Sequence, residues 1–161
     1  MANAAAQGAY RARARVFIRS ILVGLDGSPR ANDVLAYAES LALLTGAKLV
    51  LFRAFDLPPD MELAWPLSDR EVVSAMRARA QEYLSACASK LPGALLREVR
   101  VARGRPWEAL CAAASEQNVD LIVIGSHGYD AIDHLTGTTA AKVVNHARRP
   151  VLVVPAASSA P

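Results

Sequence analysis

Cysteine and histidine are scarce in this sequence, which limits the metal chemistry it can support. Its 161 residues include two cysteines, Cys87 and Cys111, and three histidines, and no close-spaced group of them has the spacing of metal ligands. Both cysteines fall on the apolar stripe of a predicted helix, where cysteine commonly behaves as a small buried hydrophobe. The sequence therefore indicates no cysteine–histidine metal site, and it fits a reducing compartment.

Long hydrophobic runs are also missing. No apolar run reaches the roughly 18 residues that a membrane-spanning helix requires. Before Asp26, arginines stand where a signal peptide would have its hydrophobic centre. We therefore expect a cytoplasmic protein that does not span a membrane.

Positive charge is in slight excess, but it is not arranged for binding nucleic acid. The formal net charge is +3, and much of the excess lies near the start of the chain, in Arg11, Arg13, Arg15 and Arg19. This stretch lacks the repeated aromatic interleaving that is typical of a nucleic-acid surface. No nucleic-acid partner is indicated.

The composition is that of one packed domain with short tails. Apolar residues make up 53% of the chain and charged residues 20%, and a chain of this length can bury about two-thirds of its unfolded surface around one core. Residues 1–16 are rich in alanine and arginine, and we expect a disordered tail there; a targeting peptide or binding arm is the alternative. Residues 17–155 form the predicted domain, and residues 156–161 a second disordered tail.

Within this domain, short β-branched runs alternate with longer helical stripes. The alternation predicts an α/β fold of repeated βαβ units around a parallel sheet that is buried on both faces. The predicted strands are residues 18–25, 48–55, 96–102, 121–124 and 151–154. The first helix should begin at Ser28 and Pro29, as N-cap and first helical residue, and end at Gly46. The other predicted helices are residues 69–90, 106–117 and 138–147.

The second helix carries a clear apolar stripe. Five of its residues recur at helical spacing and are predicted to face inward: Val72, Met76, Ala80, Tyr83 and Cys87.

Ligands of such a sheet bind outside the carboxyl ends of the strands. Leu25-Asp26-Gly27-Ser28 follows the first strand, and Gly125-Ser126-His127-Gly128 follows the fourth. Glycine allows a ligand to approach the backbone closely, and a helix N-terminus attracts an anion. Gly137-Thr138-Thr139 combines a glycine, a helix start and two hydroxyl groups. The stretch from Gly125 to Thr139 therefore suits a ligand that carries phosphate, although glycines after strands are also common in simple turns.

Five stretches together resemble the universal stress protein family. They are ILVGLDGS at 21–28, VARGRP at 101–106, IVIGSHG at 122–128, GTT at 137–139 and HARRPVLVV at 146–154, and the resemblance covers about residues 19–155. It implies a single doubly wound domain with a five-stranded parallel sheet, order 3-2-1-4-5, and helices on both faces.

One branch of this family binds ATP through two glycines separated by two residues, then nine residues, then Gly-Ser or Gly-Thr. Here Gly125 and Gly128 match, but only eight residues, 129–136, precede Gly137. The resemblance implies the following contacts: Asp26 with the ribose or with Mg²⁺ or Mn²⁺, Ala54 with the adenine, Gly125, Ser126 and Gly128 along the ribose-phosphate path, and Gly137, Thr138 and Thr139 with the phosphates.

Two acids in the short loop, Asp130 and Asp133, would repel a triphosphate unless a divalent cation lay between them. The shorter loop therefore leaves open whether ATP, ADP or AMP is the preferred nucleotide.

Catalysis has less support than binding. The sequence has no Walker motif, and no Gly-x-Gly-x-x-Gly follows the first strand. Ser126 and His127 are adjacent in sequence, but no Gly-x-Ser-x-Gly turn surrounds the serine. The sequence favours a binding protein, and at most a weak ATPase.

Two functions remain open. One is a stress-response regulatory module, in which an adenine nucleotide orders the loop at 129–136 and changes a surface seen by an unknown regulatory protein. The other is a nucleotide-free dimeric scaffold. In either case the apolar last strand, Val151–Val154, is expected to join two copies as a homodimer, because it would otherwise leave an exposed sheet edge.

Overall fold

The computed structural model describes residues 17–56, 69–126 and 139–155. Its strands are β1, Ser20–Gly24; β2, Lys48–Phe55; β3, Leu96–Arg103; β4, Leu121–Gly125; and β5, Val151–Val154. All neighbouring pairs run parallel, and the strand order is β3-β2-β1-β4-β5. The predicted sheet and its order are confirmed.

The inner strands are apolar on both faces because helices cover the sheet on both sides. Ile21, Leu22 and Val23 of β1 are fully buried. Successive side chains point to opposite faces of a strand, so Ile21 and Val23 belong to one core and Leu22 belongs to the other. The edge strands β3 and β5 are only partly buried.

Four helices flank this sheet in the described part of the chain, two on each face. Helices α1, Ala31–Thr45, and α2, Asp69–Ala88, cover one face, and their apolar side chains complete the core of Ile21 and Val23. Helices α3, Pro106–Glu116, and α4, Thr139–His146, cover the other face and complete the core of Leu22. This is the doubly wound arrangement that the sequence predicted. None of these helices is long and apolar enough to cross a membrane.

The start of β1 differs from the prediction by two residues. The Asp120 Oδ2 atom accepts the backbone N–H of Arg19 at 2.8 Å and that of Ser20 at 3.0 Å. Asp120 directly precedes β4, and its carboxylate binds the backbone at the start of β1. The strand therefore begins at Ser20, and not at residue 18 as its apolar run suggested.

The predicted N-cap of α1 is wrong. The helix begins at Ala31, and Arg30 occupies the N-cap position without a side-chain capping bond. Ser28 instead donates its backbone N–H to Asp26 Oδ1 at 2.9 Å, and its carbonyl accepts the N–H of Ala31 at 3.0 Å. Aspartate commonly binds the backbone two residues ahead, and such a bond competes with helix formation. The turn at Asp26 therefore moves the start of α1 from Pro29 to Ala31.

Helix α2 ends at Ala88, two residues before the predicted end, in a tighter turn. Of its predicted inward residues, Ala80 and Cys87 are buried, and Val72, Met76 and Tyr83 are half-buried. The most deeply buried side chain of its second half is Leu84, which the predicted stripe passed over. The face of α2 that packs against the core therefore includes Leu84, and Tyr83 lies at its border.

The expected tails, residues 1–16 and 156–161, lie outside the described residues.

Replacing Leu84 by alanine should destabilise the domain by about 2–5 kcal/mol, because a fully buried leucine leaves a cavity when it is truncated. The matched control is Leu44→Ala on α1, where the side chain is 83% exposed and the expected change is within about 0.5 kcal/mol. Urea unfolding followed by circular dichroism measures both. Equal losses in the two variants would contradict the burial of Leu84.

Candidate functional site

A cleft of about 1000 Å³ opens at the carboxyl edge of the sheet. Strand β1 has β2 on one side and β4 on the other, so the chain leaves the carboxyl ends of β1 and β4 toward opposite faces of the sheet. A crevice forms at such a point of divergence, and this is where ligands bind in open α/β sheets.

The cleft brings together five of the residues that the sequence singled out. Asp26, Ala54, Gly125, Ser126 and Thr139 all line it. They come from the carboxyl ends of three strands, which the strand order makes neighbours, and from the start of α4. The remaining predicted residues, Gly128, Gly137 and Thr138, lie outside the described residues, as do His127 and the loop at 129–136.

Close packing narrows the floor of the cleft. A methyl group at Gly24, the last residue of β1, would lie 2.9 Å from side-chain carbons of both Ile124 and Leu110. At Gly125 it would lie 3.1 Å from the Val34 side chain. These glycines allow α1 and α3 to close against the ends of β1 and β4, which leaves the floor apolar.

The β4 end of the cleft is tied to the edge of the sheet. Ser126, which follows β4, donates its backbone N–H to the carbonyl of Val154 at 2.8 Å. Thr139 begins α4 beside it, so the N-terminus of this helix faces the cleft. Unpaired N–H groups at a helix start favour an anionic group.

Arg53 is a residue of the cleft that the sequence reasoning missed. Its guanidinium lies over the Tyr83 ring, 4.7 Å from the ring centre. It also lies against Gly27, where a methyl group would be 2.6 Å from Arg53 Nη1. Arg53 is the one charged residue inside the apolar run of β2 after Lys48, and a charge in an otherwise buried strand was the available signal.

Tyr83 keeps its proton in this setting. The pKa of the Tyr83 phenol is raised well above its ordinary value, first by burial, then by the neighbouring Cys87 thiol, and also by the Asp26 carboxylate, while Arg53 opposes the rise. The phenol is therefore a neutral hydrogen-bonding group at physiological pH.

The described lining of the cleft is positive by one charge. It contains three arginines, Arg30, Arg53 and Arg79, and two aspartates, Asp26 and Asp56. Within residues 17–56, 69–126 and 139–155, no three histidine, cysteine or acidic side chains are grouped so that they could hold a metal ion. The lining therefore suits an anion, and a divalent cation at Asp26 would need further ligands from the bound molecule.

The fold and the cleft together define a doubly wound α/β domain with its binding site at the carboxyl edge of the sheet. The model of the universal stress protein family matches residues 18–155. The chain belongs to the universal stress protein family.

Members of this family are similar to the chain in sequence, in fold or in both. A universal stress protein of Thermus aquaticus is 34% identical over 137 residues, which cover 84% of this chain and 98% of that protein. A crystal structure of a family member from Burkholderia pseudomallei is 28% identical, with a TM-score of 0.69 and coverage of 89% of this chain and 99% of that one. The Archaeoglobus fulgidus universal stress protein in complex with dAMP shares the fold at 21% identity, with a TM-score of 0.54 over 86% of this chain and 98% of that one.

The contact between Gly27 and Arg53 can be tested with two glycines of similar backbone conformation. Gly27 has φ +84°, and Gly46, at the end of α1, has φ +74° with no atom near its open side. Alanine at either position should cost about 1–2 kcal/mol of unfolding free energy, because L-residues are strained in this conformation. Gly27→Ala should cost about 0.5–1 kcal/mol more, because it also displaces Arg53 from the Tyr83 ring.

In an Arg53→Ala background, the extra cost of Gly27→Ala should vanish, as a double-mutant cycle of urea unfolding would measure. If the excess persisted without the arginine, Arg53 would not be the group that requires glycine at this position.

Proposed function

We propose that this chain is a stress-response regulatory module that binds an adenine nucleotide, ATP or its shorter forms ADP and AMP, in the cleft at the carboxyl edge of the sheet. The observation that carries the proposal is that four separate stretches of the sequence line one cleft, with Asp26, Ala54, Gly125-Ser126 and Thr139. Its volume of about 1000 Å³ is enough for a nucleotide, since ligand pockets commonly measure about 300–1,000 Å³.

Each part of the nucleotide has a matching surface. Ala54 and its apolar neighbour Phe52 offer a surface for the adenine ring. The ribose would lie against Asp26, whose carboxylate is exposed and already oriented by the Ser28 N–H. The phosphates would follow Gly125 and Ser126 toward Thr139 at the start of α4.

The remaining proposed contacts fall outside the described residues. Gly128 would continue the phosphate path, and Gly137 and Thr138 would bind phosphate oxygens together with Thr139. Mg²⁺ or Mn²⁺ would be held by the phosphates and by Asp26. The positive charge of the cation would also offset the repulsion between the phosphates and the loop acids.

The role proposed for the cleft is to hold a nucleotide, with at most weak hydrolysis. A nucleotide bound there would act by ordering the loop at 129–136, and a regulatory protein in the cytoplasm would respond to that surface. The dAMP complex of the Archaeoglobus fulgidus protein is consistent with an adenine nucleotide in this fold.

ATP with Mg²⁺ should raise the melting temperature of the purified protein and release heat on titration, more so than GTP. A ligand that prefers the folded state stabilises it by mass action. Asp26→Asn should weaken binding and reduce its dependence on Mg²⁺, because the amide keeps an oxygen for the Ser28 N–H but loses the charge. Asp33→Asn, on the exposed face of α1, is the matched control and should bind as the parent does.

Absence of both heat and a melting shift at millimolar ATP with metal would refute the nucleotide proposal, provided that the protein is first shown free of nucleotide. Mass spectrometry of the supernatant after denaturation supplies that check, and it also reveals any nucleotide retained from the cell.

A nucleotide-free dimeric scaffold is the second candidate function, and the outer edge at β5 favours it. Leu152 is 36% exposed, and Val144 of the adjacent α4 is 52% exposed. The carbonyls of Pro150 and Val154 accept N–H groups of the β4 side at 2.9 and 2.8 Å. Because backbone groups alternate in direction along a strand, the N–H of Val153 points away from the sheet. A second copy could pair with this edge.

Val153→Pro should convert the proposed homodimer to monomer, because it removes an outward donor and leaves the bonds to β4 in place. Leu152→Lys should have the same effect by placing a charge in the interface. Light scattering measures the mass, and Leu44→Lys, at an exposed leucine of α1, should leave it unchanged. A dimer that persists in both β5 variants would place the interface on another face.

A further inference from the structure

We infer that Arg53 is a specificity-determining residue of the cleft, and that the preferred nucleotide carries a second phosphate on its ribose, at the 2′ or 3′ oxygen. This inference rests on the proposed nucleotide site. It assigns a ligand class to the part of the cleft between Arg53 of β2 and the turn after β1, where Asp26 is the one residue with a predicted contact.

The geometry brings the Arg53 guanidinium to the turn that carries Asp26. Ala54 and Arg53 are successive residues of β2 and point to opposite faces of the sheet. The side chain of Arg53 runs on the α2 face, over the Tyr83 ring, and ends against Gly27. Gly27 directly follows Asp26, so the positive group and the carboxylate border the same side of the cleft.

Arg53 is held in place by stacking, which leaves the N–H groups of its guanidinium pointing outward in the plane of the group. Stacking on Tyr83 uses the flat face of the guanidinium and fixes its orientation. The N–H groups lie at the rim of that plane, and within the described parts of the chain no carboxylate forms an ion pair with them. Such a group favours a bidentate anion, and phosphate is an anion whose geometry it matches.

The proposed pose puts a ribose hydroxyl group next to this cation. With adenine at Ala54 and the 5′ phosphates toward Thr139, the ribose lies between them, at Asp26 and Gly27. In nucleotide-binding folds an acidic residue commonly binds the free ribose hydroxyls, whereas an arginine nearby accommodates a phosphate on the ribose. This cleft has both groups side by side, so Asp26 would take one hydroxyl and Arg53 a phosphate on the other. The positive lining agrees with a ligand that is more anionic than AMP.

The alternative is that Arg53 only offsets the charge of Asp26. The two explanations differ in what Arg53 discriminates. If it only balances Asp26, its loss changes the affinity for every adenine nucleotide by the same factor. If it binds a ribose phosphate, its loss affects only nucleotides that carry one.

Isothermal titration with AMP, adenosine 3′,5′-bisphosphate and adenosine 2′,5′-bisphosphate tests the inference. At least one bisphosphate should bind roughly tenfold or more tightly than AMP, as expected for a charge-assisted hydrogen bond, and the two isomers identify the position. Arg53→Met should lower the affinity for that bisphosphate to the affinity for AMP. The affinity for AMP itself should stay within about twofold of its value in the parent protein. Arg53→Lys should retain part of the preference.

Arg100→Met is the matched control, because Arg100 lies on β3 outside the cleft and removing it changes the net charge equally. It should keep the full preference. Melting temperatures establish that the variants fold, and the ratio of bisphosphate to AMP affinity in the parent protein tests the ligand class without any variant.

AMP binding with no gain for either bisphosphate would overturn this inference and leave the proposed function standing. An equal loss for all three ligands in Arg53→Met would reduce Arg53 to a balance for Asp26. If none of the three ligands, nor ATP, bound the parent protein, the proposed nucleotide site would fail and this inference with it.

Discussion

The position of β1 between β2 and β4 determines where every other part of this domain can lie. A parallel sheet that is covered on both faces requires apolar residues on both sides of its central strand, and Ile21, Leu22 and Val23 meet this requirement with full burial. The chain leaves β1 toward one face of the sheet and β4 toward the other. The two connections therefore diverge and leave a crevice at the carboxyl end of β1. The cleft is a consequence of how the sheet is wound, and the carboxyl ends of β1, β2 and β4 border it together with the flanking helices.

Within that cleft, the turn after β1 has two structural roles. Its Asp26 binds the Ser28 N–H and sets where α1 begins, and its Gly27 leaves room for the guanidinium of Arg53. The same few atoms therefore shape the helix start and admit a positive charge to the site. An aspartate and an arginine that approach the cleft from different strands give its rim both charges, and this separates it from a purely apolar pocket.

The fold was more predictable than the site because it depends on periodic burial. Apolar runs bounded by turn residues gave β2 and β5 with their observed bounds. The errors arose where a single side chain binds the backbone: Asp120 shortened the expected β1, and Asp26 displaced the start of α1. Of the residues that line the cleft, local motifs pointed to Asp26, Gly125, Ser126 and Thr139, and the family resemblance added Ala54. Arg53 belongs to no motif, since its place depends on Tyr83 in a distant helix and on the absence of a side chain at Gly27.

The hydrogen bond from Ser126 to Val154 is the last of the contacts between β4 and β5, and it lies at the cleft. Ser126 borders the cleft, and Val154 is the last residue of the outermost strand. Any ligand that displaces the Ser126 N–H must weaken its hydrogen bond to Val154, which is the last bond between β4 and β5. Thermodynamic linkage then works in both directions. A molecule that pairs with β5 and strengthens this hydrogen bond would change the affinity of the cleft for its ligand. A ligand bound in the cleft would change the affinity of the β5 edge by the same factor. Through this backbone contact, occupancy of the cleft and pairing at the edge would influence each other.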